Sequence, residues 1–452
     1  MIRTLSKLTT AIGLMGTAGA LALLIGASGC GPDSHSATTP PPAPKPVVAA
    51  CSGQGLISIN PVSNVGYVPI YTLDASGNAQ LAVVDLTVGA ANPVLKTISL
   101  SGSVQPIATT YNAHNKTVLA LGLSSTDNLT VYEIDAKTQA VTGSTPITGV
   151  SGSVTYGGII EDTPKNRAFV AGYDQIGILN TAVSPPTWDA SSVVDVSSSA
   201  GYFDSFSMNV KTGILFVSGD GSNAIIDTTA SPLAPQSFDS SFNTTDGNAF
   251  DPSTNMMLLS NEVGADRSWA FNFATLQTTT PPASALNVAV PGLGEAPPLG
   301  EGPGGMTVIN CKTHQGVVAD EFGQNFKLIQ LPTTPITGAP DNNGQPGGGT
   351  TPDANSAYTI AAAVIPKGLV SGTPTQLGMR GDPNSLSSDP VHNFMYALAD
   401  TNPTFHPWTP GSSTPLFLIQ LDLSSPVVGA SPTGGVNGTT FWTPTAMAIP
   451  LP

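Results

Sequence analysis

The sequence has 452 residues, of which 10% are charged, with 48 glycines, 41 prolines and a formal charge of −15. So few charges leave solubility to Ser, Thr, Asn and loop backbone. The lack of a basic patch speaks against nucleic acid and anionic lipid head groups as partners, because nothing would neutralise their phosphates.

Residues 1–29 carry Arg3 and Lys7, then the run AIGLMGTAGALALLIGASG, and stop at Cys30. This reads as a secretory signal, too weakly flanked and too abruptly ended for a spanning helix. Ala27-Ser28-Gly29-Cys30 resembles a bacterial lipobox. That resemblance implies a diacylglycerol on Cys30 and a lipid-anchored place in the cell envelope, at the outer membrane or the cell surface. Ala27 stands where the lipobox usually has Leu, so cleavage by an ordinary signal peptidase stays open. Residues 30–50 follow as a Pro-rich tether, too poor in apolar bulk to order by burial. In a polyproline-like form the tether reaches on the order of 60 Å at about 3.1 Å per residue.

Residues 51–452 are expected to be all-β. The stretch 248–272 reads as a strand, a turn at Asp251-Pro252-Ser253-Thr254-Asn255, a second strand (MMLLS), a loop and a third strand closing on Asn272. Asp and Pro suit the start of a type I turn, and Asn tolerates the left-handed conformation at its end. The same pattern recurs with an Asn or Asp at Asn60, Asn112, Asp162, Asn209, Asp251, Asn310 and Asp389. A residue closing the turn follows at Asn64, Asn115, Asn166, Gly213, Asn255, Gln315 and Asn393, and an apolar strand comes after each. The third strands end on Asp85, Asp135, Asn180, Asp227, Asn272, Gln330 and Asp422. Repeats of this kind predict a seven-bladed β-propeller of four-stranded antiparallel blades. A sandwich or an irregular β-helix would also accommodate short strands, but not the threefold alignment of turn, second strand and third-strand end. The last stretch, FWTPTAMAIPLP, is expected to pair with the N-terminal unit and close the ring, since an open propeller exposes two sheet edges.

Val131-Tyr132-Glu133-Ile134-Asp135-Ala136-Lys137-Thr138, Gly66-Tyr67-Val68-Pro69 and Arg167-Ala168-Phe169-Val170-Ala171-Gly172 resemble the strands of YVTN-type bacterial propellers. The resemblance covers most of residues 56–425. It implies the fold and leaves function open, because this architecture hosts enzymes, binders and scaffolds.

Each unit places an acid between its second and third strands: Asp74, Asp127, Asp174, Asp220, Glu262 with Asp266, Asp320 with Glu321, and Asp400. Two readings stand side by side, hairpin turn chemistry and a ring of carboxylates drawing cations or a ligand to one face. Where the innermost strands begin, Asp204, Asp246 with Asn248, Glu301 and Asp382 with Asn384 offer hard oxygen donors suited to Ca²⁺. Leu299-Gly300-Glu301-Gly302-Pro303 resembles the L-G-E-G-P of calcium-dependent sugar lactonases. That resemblance implies metal roles for Glu301, Asn248 and Asp204, a base at Asp382, and calcium as cofactor. The family has this Glu in the first of six blades, whereas here it precedes the sixth unit of seven.

With Cys30 lipidated, Cys51 and Cys311 remain, either paired in an oxidising compartment or as two buried thiols. His114, His314, His392 and His406 fall in turns or insertions. In the insertion after Asp400, Phe405 and Trp408 are placed either to recognise a partner or to cap neighbouring blades. The expected function is a binding or scaffolding module for a protein or glycan partner in the envelope, with a calcium-dependent lactonase-like hydrolase as the alternative.

Overall fold

A computed structural model describes residues 55–153, 157–237, 247–254, 256–260, 268–272, 288–290, 307–320, 325–330, 359–360, 367–370, 373–379, 386–401, 411–424 and 446–452. The chain divides into a unit at Met1–Val47, outside the described residues, and a unit at Val48–Pro452. Among the described residues no helix is long and apolar enough to cross a membrane.

The first sheet sets the pattern. β1 (Ser58–Asn60), β2 (Val65–Ile70), β3 (Ala79–Asp85) and β4 (Val94–Leu100) run antiparallel in chain order. The β2 sequence VGYVPI is buried throughout, whereas the outermost VLKTISL leaves Leu95, Lys96 and Thr97 exposed and turns Ile98 and Leu100 inward. Val, Ile and Tyr suit such strands because their side chains fill a pleated surface. The same meander recurs at residues 105–147, 158–195, 247–290 and 307–360, giving five four-stranded antiparallel sheets and an all-β propeller.

Three further sheets depart from four strands, one of them the two-stranded pair Lys367–Val370 and Thr373–Gln376. At residues 201–237 the sheet has three, because Ile214–Asp227 runs as one 14-residue strand. The loop expected at Gly219-Asp220-Gly221-Ser222-Asn223 is therefore part of that strand. Its first half pairs with Gly201–Asn209 and its second with Pro235–Ser237. Gly219 permits this, since a Cβ there would lie 1.9 Å from the Ala200 carbonyl oxygen. The last sheet has five strands, with Gly378–Met379 added beside Phe394–Asp400.

Among the described residues, apolar clusters fill five of the seams between successive sheets. Val65, Tyr67 and Leu81 meet Val118 and Ile134, and Leu121 and Val131 meet Ile159 and Val170. Further round, Phe169 meets Phe206 and Leu215, Val308 and Val317 meet Met395 and Ile419, and Leu398 and Leu418 meet Ile57 and Val68. The last sheet thus packs on the first. Each of these large side chains contributes about 1.5–3 kcal/mol by burial.

Ring closure differs from the expectation in how the C-terminal strand is used. Ala446–Pro450 pairs antiparallel with Leu416–Asp422, not with the N-terminal unit. Leu416–Asp422 is itself apolar and presents a free edge, so the returning chain completes the last sheet. Ile449 and Leu451 then pack against the first sheet, and the Thr72 hydroxyl donates to the Pro452 carbonyl at 3.0 Å.

Candidate functional site

The two rims of the propeller are built differently. One rim holds the turns between first and second strands and those following third strands. The Asn or Asp opening each first-to-second turn is buried, none above 6% exposure. In six turns its Oδ1 accepts a backbone N–H two or three residues on: Val62 to Asn60, Asn115 to Asn112, Lys211 to Asn209, Ser253 to Asp251, Lys312 to Asn310 and Val391 to Asp389, at 2.8–3.1 Å. This is the Asx turn, which replaces a backbone turn bond with a side-chain one.

The third sheet lacks it because Pro164 stands where the N–H would be. Asp162 instead takes Arg167 Nε at 2.9 Å. The turns close on a left-handed residue at Asn64, Asn166, Gly213 and Asn393, as the repeat predicts. In the second and sixth sheets that residue is Lys116 and His314, one position away from the expected Asn115 and Gln315. Asn115 is used otherwise, its amide donating to the Thr181 carbonyl of the next sheet.

Every seam between successive sheets on this rim carries such a tie. Tyr67 Oη donates to Ala136 O at 3.2 Å, Arg167 Nη2 to Thr228 O at 2.8 Å and Lys312 Nζ to Val391 O at 3.3 Å. Lys211 Nζ reaches Pro252 O, His314 Nδ1 lies 2.6 Å from Asp251 Oδ2, and Gln420 Nε2 reaches Leu86 O at 3.0 Å. Burial holds the Tyr67 hydroxyl up at about 12, so it stays a donor. Arg167, Lys211, Lys312 and the buried turn acids of this rim are spent on the frame, while Lys116 and Lys137 are exposed.

The opposite rim carries the second-to-third-strand links and the entries to the inner strands, and its loops at residues 71–79, 123–129, 147–153, 171–175 and 195–201 hold no Lys or Arg. Asp74 accepts from Ser76 N and Asn78 N at 2.8 and 2.9 Å. The Asn78 side chain, then its backbone, lowers the Asp74 carboxyl to about 2. Asp127 sits in the left-handed region and Asp400 is buried against Tyr71 Oη at 3.0 Å. Turn and seam chemistry account for these three. Asp174 differs: burial, then the charge of Asp195, raises its pKa, and its Oδ1 has neither solvent nor partner.

Of the inner-strand oxygens, Asp204 and Asn248 are both buried. Asn248 Nδ2 donates to Ser205 Oγ at 2.8 Å and to Ser218 Oγ across the seam between the fourth and fifth sheets. Its Oδ1 is buried without a partner. Among the described residues no three His, Cys, Asp or Glu side chains gather as a metal site would need. Glu301, Asp382, Glu321, Phe405, Trp408, Cys30 and Cys51 lie outside the described residues. Asp320 ends the strand Gln315–Asp320 and pairs with Asn325. Cys311 is disulfide-bonded, with its partner outside the described residues.

Asp195 and Glu161 escaped the sequence reading. Glu161 precedes the turn residue Asp162, a position filled elsewhere by Ile59, Tyr111, Met208, Phe250, Ile309 and Ser388. It is 8% exposed, accepts from Thr181 Oγ1 at 3.0 Å and leaves Oε2 unpartnered. Burial pushes its pKa up to about 8, so it is mostly neutral at pH 7. Aligning the inner strands on the turn residue would have exposed it.

No family profile and no curated protein matches the chain by sequence. Among solved structures it is similar to a hypothetical selenium-binding protein from Sulfolobus tokodaii, at 12% identity and TM-score 0.49, over 82% of this chain and 89% of that one. It is also similar to the Kuenenia stuttgartiensis hydrazine synthase, at 12% identity and TM-score 0.47, over 77% and 93%. A candidate 6-phosphogluconolactonase from Bacteroides uniformis follows at 13% and 0.43, over 67% and 87%.

Proposed function

We propose that this chain is a seven-bladed propeller of the YVTN type, lipidated at Cys30 and held by residues 30–50 at a bacterial cell envelope. There it acts as a binding or scaffolding module through the rim bearing Asp74, Asp127, Asp174 and Asp195. The three-stranded and five-stranded sheets stand as the fourth and seventh blades in this reading. The observation that carries it is the division of charge between the rims. On the turn rim, the buried acids and Arg167, Lys211 and Lys312 are engaged in Asx turns and seam ties. The loops of the other rim at residues 71–79, 123–129, 147–153, 171–175 and 195–201 hold acids and no Lys or Arg, so their field suits a protein partner with basic side chains.

Capture by the full-length chain in neutral detergent tests the reading, with an oligolysine and an oligoglutamate peptide as probes. The account predicts retention of oligolysine at low salt, loss at high salt and no retention of oligoglutamate. Equal retention of both, or of neither, would contradict it. For the anchor, Cys30→Ala should release the protein from the membrane fraction, and unchanged membrane association would remove the lipid.

The unpartnered Asn248 Oδ1 favours a second reading, a calcium site on the inner strands serving a lactonase-like hydrolase. Asp204 and Asn248 supply two oxygens, while Ca²⁺ takes six to eight. Glu301 and Asp382 are the further donors that reading requires. Calorimetric titration with Ca²⁺ decides it: heat that vanishes in Glu301→Gln supports the reading, and no heat in the parent chain ends it.

A further inference from the structure

We propose that the seam between the second and third sheets holds a single alkali cation, Na⁺ or K⁺, bound near the turn rim by Glu161 Oε2 and Thr117 Oγ1. The site is separate from the acidic rim and stands whether or not that rim binds a partner.

Both side chains face this seam. Glu161 pairs directly with Ala168 in the third sheet, and Ala168 packs with Leu119 and Leu121 of the second. Thr117 lies two residues before Leu119 on the same strand, so it points to the same side. Thr181 and Asn115 bring the two to one end of the seam. The Thr181 hydroxyl donates to Glu161 Oε1 at 3.0 Å, and its carbonyl takes the side-chain amide of Asn115 from the second sheet. Asn115 N in turn donates at 3.0 Å to Oδ1 of Asn112, the residue paired with Thr117. Both positions depart from the repeat. The residue paired with the turn Asn or Asp, Thr117 here, is Val65, Ile214, Met256 and Phe394 in four other sheets. Glu161 is the only acid at its own repeat position.

Two oxygens at this place have nothing to bond. Glu161 and Thr117 are each 8% exposed, and Glu161 Oε2 and Thr117 Oγ1 are buried without a hydrogen-bond partner. An unmade bond at a buried polar atom costs stability unless something fills it. The cations nearest in sequence are turned away, since Lys165 and Arg167 lie against Asp162, whose side chain is on the opposite face of the third sheet. Glu133, the other buried acid of the seam, has its Oε2 taken by Ser184 Oγ and Thr142 Oγ1. One unpaired carboxylate oxygen matches one positive charge. A divalent ion would bring a second charge into the seam with no further free acid to balance it. Burial keeps the Glu161 carboxyl mostly protonated at pH 7, so the ion replaces that proton and binding releases it to solvent.

Urea unfolding of the full-length chain in neutral detergent tests the site, just above the Glu161 pKa of about 8 and with divalent ions chelated so that no calcium site contributes. Chlorides of sodium, potassium and N-methylglucamine are compared at one ionic strength. With the alkali ion at about ten times its Kd, the folded-to-unfolded ratio should be about tenfold higher than in N-methylglucamine. Glu161→Gln should remove that difference. Thr117→Val, which keeps the shape of the side chain and removes its hydroxyl, should reduce it to about threefold or less. A larger gain in one of the two alkali salts identifies the ion. Thallium NMR supplies a reading independent of unfolding, with the thallous ion standing in for K⁺: a bound resonance should appear in the parent chain and vanish in Glu161→Gln. Equal ratios in all three salts with no bound resonance would overturn the site. An alkali gain that survives both Glu161→Gln and Thr117→Val would overturn it as well, by placing the ion elsewhere.

Discussion

The two rims of this propeller are made from the same repeat and put it to opposite uses. On the turn rim each Asn or Asp is buried, bonded to its own turn, and surrounded by side chains that reach into the next sheet. On the other rim Asp74 and Asp127 serve short loops, and Asp174 keeps a carboxyl oxygen that no hydrogen bond satisfies. The difference teaches where to look for function: in a repeat protein, what the frame consumes is spent, and what one unit leaves over is available.

The largest effect is expected at the turn rim. Arg167→Ala leaves the fully buried Asp162 without its closest cation and removes a tie to the fourth sheet. It should lower unfolding stability by about 3–5 kcal/mol, read from the urea midpoint. An unchanged midpoint would mean the ties are incidental.

Glu161→Gln should act in the other direction. Its carboxyl is raised from 4.5 to about 8 in the folded protein, so the unfolded chain releases its proton first as pH rises. Wild-type stability should therefore fall between about pH 4.5 and 8 relative to the Gln variant. The variant should match the parent chain below that window and exceed it by a few kcal/mol above it. Parallel stability–pH curves would show that Glu161 is not buried as described.

A smaller loss is expected from Gly213→Ala, because φ is +73° there and a Cβ would meet Thr229 Cγ2 at 2.8 Å. About 1–2 kcal/mol should disappear from the unfolding free energy. At the far end of the scale, Asp74→Asn should leave the melting temperature unchanged within about 1 °C, since its bonds to Ser76 and Asn78 lie within a short surface loop.

Much of the frame was legible because Asx chemistry leaves a mark in sequence. Asn60, Asn112, Asp162, Asn209, Asp251, Asn310 and Asp389 could be aligned from composition and spacing, and each lies at the turn it predicts. Non-local relations were not legible. The free edge of Leu416–Asp422 decided where the C-terminal strand went, and the apolar AMAIP segment carries no record of that edge. Pro164 removed an N–H and with it one Asx turn, which only the geometry of the bond makes plain. Tyr173 and Tyr202 meet because a backbone bond joins two sheets, and nothing local to either residue announces the pair. For the candidate site, Asp74, Asp127 and Asp174 were visible in sequence and Asp195 was not, while the distinction between Asp74, bonded within its own loop, and Asp174, with an unpartnered oxygen, required packing.

The most direct measurement is hydrogen–deuterium exchange of the full-length chain with and without the oligolysine peptide. The account predicts protection confined to the acidic rim, at residues 147–153, 171–175 and 195–202, with exchange at the first-to-second-strand turns unchanged. Protection at those turns instead, or none on either rim while the peptide is bound, would contradict the division of labour between the two faces.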